Sequence, residues 1–358
     1  MLVLHLDVNK TVVMQDAASQ GTGSVQAMIN SLMAECVWGR VREGSERATR
    51  TVEDWQLAST VPSSECPEPG LVTFNDFVEC HSNIPKAVYK SLKQKFTDPG
   101  GIGEACREHY NALLASMTVP SADAAGEPEF YFIVPALFHL VRELLSRNVD
   151  FALIFRTFGR DIQEVAKEWN TFIEGHHPRE PLAPTPRLRL DLPLHTACLQ
   201  RAGSAGSADE TLSLAHVDYQ TKCVTLASGF SAVRKAMHAK ITQHACLFVQ
   251  DDYSYWAKHG EADSAGKLLL LPETEAEDET EDEEEQRQGQ RQRQRQRQRH
   301  IFIDDNIERH RAHIVDVRLD GKSLAFDEAK AFLLRAEPSE IIRDRTWFVA
   351  RLEERGLL

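Results

Sequence analysis

The chain of 358 residues has 42% hydrophobic and 27% charged residues and only 34 Gly and Pro (19 plus 15), a composition typical of globular proteins. No apolar run approaches the roughly 18 to 20 residues that cross a bilayer, and the N-terminal stretch is too short and too acidic for a signal peptide. The seven cysteines are widely spread and form no CxxC pair or zinc spacing. We therefore expect a cytoplasmic protein with reduced thiols and no membrane contact.

The net charge of −13 argues against a specific nucleic-acid partner, because phosphate backbones are met by clustered cations. Residues 273–299 contain ten carboxylates and six arginines, so they contribute −4 and the rest of the chain −9. This segment is almost free of apolar residues, which predicts a disordered loop within the core. Its acidic half or its Gln-Arg half is a possible contact for a protein partner.

Several apolar runs are continuous, where a half-exposed strand would alternate, and this predicts buried strands of a parallel sheet. The runs lie at residues 2–6, 151–155, 245–249, 268–271, 301–303 and 313–317. Apolar residues at three- and four-residue spacing predict helices between them, over residues 134–146, 161–173, 231–241 and 326–335. The alternation indicates the α/β class, with a doubly wound, mainly parallel sheet.

Residues 24–118 interrupt this alternation. Helical spacing predicts three helices in this block, over residues 25–37, 85–95 and 102–116, and strand-like runs are sparse. Because the block lies between the first two predicted core strands, we expect a mostly helical cap inserted into an α/β core of residues 1–23 and 119–358. A second irregular stretch, 176–228, predicts two or three short strands, 187–192 and 211–217 among them.

Acidic and hydroxyl side chains follow three of the predicted core strands. Asp7 follows the first strand, Thr157 the second, and Asp304 and Asp305 a later one. In open α/β sheets, ligands bind beyond the carboxyl ends of the strands. Carboxylates from two strand ends form an oxygen site that suits Mg²⁺, which takes one or two carboxylates plus substrate phosphate. A free carboxylate beside that ion can attack phosphorus.

This arrangement resembles the haloacid dehalogenase-like (HAD) hydrolase superfamily from residue 2 to about residue 317. In that family one strand precedes Asp-x-Asp-x-Thr/Val, a second ends in Ser/Thr, a Lys follows, and a further strand ends in one or two Asp. The resemblance implies that Asp7 is nucleophile and metal ligand and that Thr157 holds the transferred phosphoryl group. It implies that Asp304 binds the metal, with Asp305 beside it or behind it. The start Asp-Val-Asn-Lys-Thr indicates a eukaryotic branch.

The lysine of the third motif has two candidates. Lys267 precedes the predicted strand at 268–271 and lies upstream of the fourth motif, whereas Lys258 lies in a helical stretch after the strand at 245–249. Either could bring a cation to the phosphate and the nucleophile. We favour Lys267.

Asn9 is the departure from the family pattern. Phosphatases of this family have Asp there, which protonates the leaving oxygen and then activates water. An amide cannot exchange a proton at neutral pH, so a rate acceleration of about 10² to 10⁴-fold from general acid–base catalysis is lost unless another group supplies it. Three interpretations follow: a slow phosphatase with a substitute acid, an enzyme for good leaving groups such as acyl phosphates, or a binding protein derived from an enzyme. The backbone carbonyl of Asn9 can still bind the metal.

We therefore predict a Mg²⁺-dependent phosphatase of a small phosphorylated metabolite that acts through an aspartyl-phosphate. Its catalytic residues would be Asp7, Asn9, Thr157 and Lys267. The alternative is a catalytically impaired HAD-like protein whose pocket binds phosphate or metal as an interaction module.

Other residues have structural interpretations that outweigh functional ones. We expect His5 to be a satisfied core histidine, and the adjacent His176 and His177 to point apart on a loop rather than bind metal. Asp251 and Asp252 follow a predicted strand, but we expect a helix N-cap and a first-turn acid.

Overall fold

The computed structural model describes residues 1–14, 24–119, 129–159, 161–192, 194–216, 224–272 and 299–358. The loop predicted at 273–299 lies outside these residues except for Arg299. Within the part described, no helix has both the length and the apolar character needed to cross a bilayer. The chain forms two compact units, the first from residues 1–13, 137–336 and 346–358 and the second from residues 14–136 and 337–345.

The strands of the described residues are numbered in chain order. They are β1 (Leu2–Asp7), β2 (Trp38–Val41), β3 (Trp55–Leu57), β4 (Val72–Thr73), β5 (Phe151–Thr157), β6 (Thr196–Ala202), β7 (Thr211–His216), β8 (Val224–Ser228), β9 (Cys246–Gln250), β10 (Lys267–Leu270), β11 (His300–Asp304), β12 (Val315–Leu319), β13 (Lys322–Ser323) and β14 (Leu333–Arg335).

The α-helices are numbered in the same way. They are α1 (Val25–Cys36), α2 (Phe74–Asp76), α3 (Lys86–Gln94), α4 (Arg107–Met117), α5 (Pro135–Ser146), α6 (Ile162–Ile173), α7 (Phe230–His244), α8 (Tyr253–Lys258), α9 (Phe326–Ala329), α10 (Pro338–Arg343) and α11 (Trp347–Glu354).

A mainly parallel sheet of eight strands organises the first unit, in the order β14-β11-β1-β5-β9-β6-β7-β8. The first six of these strands are parallel to one another, whereas β7 pairs antiparallel with both β6 and β8. Every residue of β1 and β5 is buried, as their continuous apolar runs predict. The mixed α/β class with a mainly parallel sheet is confirmed.

Helices pack on both faces of this sheet. On one face, Val233, Met237 and Ile241 of α7 belong to the same buried cluster as Ile154 of β5. On the other face, the neighbouring Phe155 meets Trp169 of α6, with ring centroids 5.2 Å apart. Successive strand residues point to opposite faces, so one apolar run supplies both packing surfaces.

Two predicted strands belong to a different sheet. The runs at 268–271 and 313–317 form β10 and β12, but these pair in parallel with each other, and β13 completes a three-stranded sheet. The expectation that they join the main sheet was wrong. A continuous apolar run predicts burial on both sides but carries no information on the pairing partner.

Other boundaries also differ from the predictions. The helix predicted over 326–335 ends at Ala329, and its last residues form the edge strand β14, paired with β11. The strand predicted at 187–192 is a 3₁₀ turn at Pro186–Leu188 followed by irregular chain, because a proline at the first position has a fixed φ that suits a helical turn. The stretch 176–228 contains three strands, β6, β7 and β8, within the predicted two or three, but the sequence analysis placed only β7.

The second unit contains α1, α3 and α4, close to the three predicted helices, and a small antiparallel sheet in the order β3-β2-β4 that was not predicted. Helix α1 packs against α3 and α4, and α4 also packs against α10 near the end of the chain. The unit therefore extends beyond the predicted insertion at 24–118 and recruits residues 337–345. Its role as a cap stays a prediction.

Candidate functional site

Three carboxylates meet at the carboxyl ends of neighbouring strands. In the parallel pair of β1 and β11, Leu6 lies opposite Ile303, so Asp7 and Asp304 end the two strands side by side. Carboxylate oxygens of Asp7, Asp304 and Asp305 lie within 4.8 Å of one another. Asp7 and Asp304 are buried, whereas Asp305 is partly exposed.

Lys267 joins two of these carboxylates from the second sheet. It is the first residue of β10 and is buried, and its ammonium donates to Asp7 and, at 2.7 Å, to Oδ2 of Asp304. Lys258, the other candidate from the sequence, is exposed at the end of α8. The structure therefore brings Lys267, and not Lys258, to the aspartates.

The charges in this cluster perturb one another. Burial and the neighbouring Asp304 carboxylate raise the pKa of Asp7 well above its usual range, although Lys267 opposes the shift. Burial acts to lower the pKa of Lys267, but Asp304 and Asp7 raise it overall, so the lysine is charged. Lys10 also lies beside the cluster, with its Nζ 4.0 Å from an oxygen of Asp305. Two buried carboxylates thus share one buried ammonium.

The chain after β11 holds two of the aspartates in place. The backbone N–H of Asn306 donates to Oδ1 of Asp304 at 2.9 Å, and its side-chain amide donates to Oδ1 of Asp305 at 2.9 Å. Asn306 follows the two aspartates directly, but the sequence analysis did not select it. Its backbone and side-chain amides thus contact both aspartates.

Thr157 ends β5, on the other side of β1. Its hydroxyl oxygen accepts from the backbone N–H of Gly159 at 2.8 Å and donates to no described residue. A Cβ on Gly159 would lie 2.8 Å from Oδ2 of Asp161 and 3.2 Å from the Thr157 hydroxyl. A side chain at position 159 would therefore require Asp161 to move, and the Thr157 hydroxyl hydrogen remains available to a ligand.

Asn9 lies in a tight turn after β1. The backbone N–H groups of Val12 and Val13 both donate to the carbonyl of Val8, at 3.0 and 2.8 Å. The amide oxygen of Asn9 is buried and accepts no hydrogen bond from the residues described. A buried amide oxygen without a donor is an unsatisfied acceptor, which a cation or a ligand N–H or O–H group would satisfy.

Phe158 is a site residue that the sequence analysis missed. Its ring lies under the Lys267 ammonium, with Nζ 5.2 Å from the ring centroid, and stacks on Trp256 at 5.3 Å. The cation–π contact helps hold the buried lysine beside the aspartates. Its position directly after Thr157 is the signal that could have identified it.

The remaining candidates have structural partners. Asp252 caps α8 by accepting from the N–H of Tyr255, as expected, but Asp251 is not a first-turn acid. It forms a buried ion pair with Arg156, whose Nε lies 3.0 Å from its Oδ2. His177 contacts Glu168, with Nε2 and Oε1 3.2 Å apart.

Comparisons with known proteins add no relative. The chain matches no family model, no curated protein and no solved structure. The resemblance to HAD-like hydrolases therefore depends on the motif residues and on their positions at the strand ends.

Proposed function

We propose that the protein is a Mg²⁺-dependent phosphohydrolase of HAD-like type that acts on a small phosphorylated metabolite, with Asp7 as the nucleophile. The observation that carries the proposal is the buried contact of Lys267 with Asp7 and Asp304 at the carboxyl ends of parallel strands. The order β14-β11-β1-β5-β9, with helices on both faces, supports a doubly wound Rossmannoid core.

The residues fit a magnesium ion. Asp7, Asp304 and Asp305 supply close carboxylate oxygens, and the two buried ones, Asp7 and Asp304, share the single ammonium of Lys267. These three residues would hold the ion, with an oxygen of Asn9, whose buried amide oxygen lacks a donor among the described residues. When bound, the ion would supply positive charge that stabilises the phosphoryl oxygens.

The chain's own groups account for the bond changes. A carboxylate oxygen of Asp7 attacks phosphorus, and the bond from phosphorus to the substrate's bridging oxygen breaks. Lys267 neutralises negative charge during the transfer, and the Thr157 hydroxyl donates to a phosphoryl oxygen. Water then attacks phosphorus and its proton passes to an oxygen of the phosphoryl group, the bond from phosphorus to Asp7 breaks and restores the carboxylate, and inorganic phosphate is released.

The leaving oxygen is where Asn9 matters. It carries the electron pair of the broken bond, and an amide cannot protonate it. Substrates whose leaving group is stable as an anion, such as acyl phosphates, need no such proton. We therefore favour an acyl phosphate over an alkyl phosphate ester as the substrate.

The test is phosphate release from acetyl phosphate in the presence of Mg²⁺. Asp7→Asn keeps the shape of the side chain but removes the nucleophile, so we expect a loss of at least about 10³-fold. Asp327→Asn, which removes an exposed carboxylate in α9, is the matched control and should leave the rate unchanged. Full activity in Asp7→Asn would contradict the proposal.

A second candidate function is favoured by Asn9 alone: an impaired enzyme that binds phosphate as an interaction module. It predicts Mg²⁺-dependent binding of inorganic phosphate, measurable by calorimetry, without turnover of any phosphoryl donor. Loss of this binding in Asp304→Asn would connect it to the same carboxylates.

Asn9→Asp separates the two candidates. Restoring a carboxylate provides a proton for the leaving oxygen, so hydrolysis of an alkyl phosphate should rise by about 10- to 10³-fold, and that of acetyl phosphate far less. Asn9→Ala is the companion variant, because a site with a substitute acid tolerates it. No gain in Asn9→Asp with Mg²⁺ binding intact would favour the binding module.

A further inference from the structure

An aromatic cluster lies beside the aspartate site, at the carboxyl ends of β5 and β9. Phe158 follows Thr157 at the end of β5. Tyr253 and Trp256 belong to α8, which is separated from β9 by two residues. The two strand ends are held together, because the backbone N–H of Asp251 donates to the carbonyl of Thr157 at 2.7 Å. The cluster therefore lies at the edge where open α/β sheets bind their ligands.

The three rings of this cluster support one another. Phe158 stacks on Trp256, with ring centroids 5.3 Å apart and an angle of 19° between the ring planes. Tyr253 meets both rings in T-shaped contacts, with its centroid 5.7 Å from that of Phe158 and 6.2 Å from that of Trp256. Aromatic pairs are stabilising at centroid distances of about 4.5 to 7 Å. Two neighbouring rings thus hold the Tyr253 ring in position.

Tyr253 nevertheless keeps half of its surface in solvent. It is 52% exposed, whereas Trp256 is 8% exposed. Within the part of the chain that the structure describes, Tyr253 is the one Phe, Trp or Tyr residue that is exposed. A ring that is packed on one side and open on the other offers a rigid apolar surface to a ligand, because little side-chain freedom is lost on binding.

Phe158 connects this surface to the charged groups of the aspartate site. The ammonium of Lys267, which contacts Asp7 and Asp304, lies 5.2 Å from the centroid of the Phe158 ring. The centroid of Tyr253 lies 5.7 Å from the same point. A phosphoryl group held by Lys267 is therefore two contact distances away from Tyr253, so the other end of a small substrate can contact that ring.

The two ends of this arrangement favour different parts of one substrate. Lys267 and the Thr157 hydroxyl suit a phosphoryl group, whereas the ring of Tyr253 suits an apolar, planar group. An aliphatic group would gain only from the area that it buries. An aromatic group also gains from the geometry of the ring pair, by about 2- to 12-fold in affinity.

We propose that the substrate is an acyl phosphate whose acyl group carries an aromatic ring, and that Tyr253 binds this ring and determines specificity. The inference rests on the proposed phosphohydrolase function and specifies its substrate class. The bond from phosphorus to the acyl oxygen breaks, and that oxygen keeps the electron pair. The product is an aromatic carboxylate, which needs no proton at neutral pH, so the reaction tolerates an amide at Asn9.

The first test compares benzoyl phosphate with acetyl phosphate in the presence of Mg²⁺. In the wild type, KM should be at least about fivefold lower for benzoyl phosphate, because the ring contact lies away from phosphorus and acts on binding. Tyr253→Ala should raise KM for benzoyl phosphate and leave its kcat unchanged, with both constants for acetyl phosphate unchanged. Tyr253→Phe retains the ring and should behave as the wild type.

Leu226→Ala is the control for these variants. It removes an exposed apolar side chain from β8, at the far edge of the main sheet, and should change neither substrate's KM. Equal KM values for the two substrates in the wild type would overturn the inference while the proposed function stands. An equal loss on both substrates in Tyr253→Ala would also overturn it, because the tyrosine would then act only through the packing of the cluster.

Binding without turnover separates this inference from the proposed function. Phenacylphosphonate and acetonylphosphonate are analogues of the two substrates in which a methylene group replaces the bridging oxygen. With Mg²⁺ present, calorimetry should give at least about fivefold tighter binding of phenacylphosphonate in the wild type and in Tyr253→Phe, and a difference below about twofold in Tyr253→Ala. If this pattern holds but no acyl phosphate is hydrolysed, the proposed function is wrong and the aromatic site stands. Equal binding of the two analogues, or no binding of either, would overturn the inference.

Discussion

Two clusters of buried charge in the first unit differ in how their charges are balanced. In one, Arg201 and Arg318 face Glu210 and Asp316, and all four side chains are buried. Arg201 bonds Glu210 at 2.6 Å and Asp316 at 3.0 Å, and Arg318 bonds the same two acids at 2.8 and 2.7 Å. Ser323 donates to the remaining oxygen of Asp316. Two cations meet two anions, and the cluster is closed.

The aspartate site has a different balance between its buried groups. Asp7 and Asp304 share the single ammonium of Lys267, and the partly exposed Asp305 lies beside them. Two buried carboxylates on one buried ammonium are less well balanced than two acids on two guanidiniums, and such an excess of buried negative charge is typical of functional sites. The comparison separates a structural ion network from a candidate binding site.

The largest expected effect concerns the closed network. Arg201→Met leaves Glu210 and Asp316 with one guanidinium, so the free energy of unfolding should fall by about 3 to 5 kcal/mol in urea titrations. Arg311→Met, which removes a half-exposed arginine paired with Glu308, should cost less than about 1 kcal/mol. Equal losses in the two variants would show that the network contributes no more than a surface pair.

Mg²⁺ should stabilise the protein through the aspartate site, and the Arg201 network should not contribute to this effect. At about 100 times its Kd, the ion should stabilise the wild type by about 2.7 kcal/mol, because it binds only the folded state. Asp304→Asn should lose this gain, and Asp327→Asn, an exposed control, should retain it. Thermal unfolding with and without chelator measures the effect, and an equal Mg²⁺ response in Asp304→Asn would contradict the assignment.

The partly buried His300 shows a third arrangement, in which the group stays neutral. The folded protein holds the pKa of His300 at about 4, against 6.5 in its ordinary state. In the unfolded chain, His300 therefore binds a proton below about pH 6.5, whereas in the folded protein it does so only near pH 4. The contribution of the neutral His300 to the free energy of unfolding is fully present above pH 6.5. It should fall by about 2 to 3 kcal/mol as the pH drops to 4.

His300→Gln tests this pH dependence, because it removes one titrating group and should flatten the fall between pH 6.5 and 4. His310→Gln changes an exposed histidine and is the control. Urea titrations at several pH values measure both. An unchanged slope in His300→Gln would mean that His300 does not contribute.

The smallest expected effect is a stabilisation, whereas Arg201→Met should destabilise the protein. Burial and Asp304 raise the pKa of Asp7, so its charge is disfavoured in the fold at pH 7. Without Mg²⁺, Asp7→Asn should therefore stabilise the protein by about 1 kcal/mol, in the manner of many active-site substitutions. A clear destabilisation would instead mean that the Asp7–Lys267 pair is mainly structural, like the Arg201 network.

Much of the site follows from local patterns in the sequence. Asp7, Thr157, Asp304 and Asp305 were found because each follows a continuous apolar run, and parallel strands end at a common edge. The apolar runs could be recognised as strands because both faces of these strands are buried. Asn9 was visible for the same reason, as the second residue after Asp7.

Most of the missed features involve contacts between distant segments. Helical spacing at 326–335 gave no sign that its last residues pair with β11 as β14, and nothing in residues 337–345 indicated that they join the second unit. Phe158 became a site residue only because Lys267 lies beside it. Asn306 is the exception, because its contacts with the aspartates are local and it was missed all the same. Single positions in a sequence do not carry such information.

The sequence by itself determined the burial of the strands and the acidic residues at their ends, because alternation, apolar content and turn chemistry are local properties of the chain. Only the tertiary structure decided that β10 joins a separate sheet, that Lys267 bridges Asp7 and Asp304, and that Arg156 fixes the tautomer of His5. The physical reason is that strands pair through backbone groups, which are the same in nearly every residue. Which strands meet therefore depends on the packing of the whole domain.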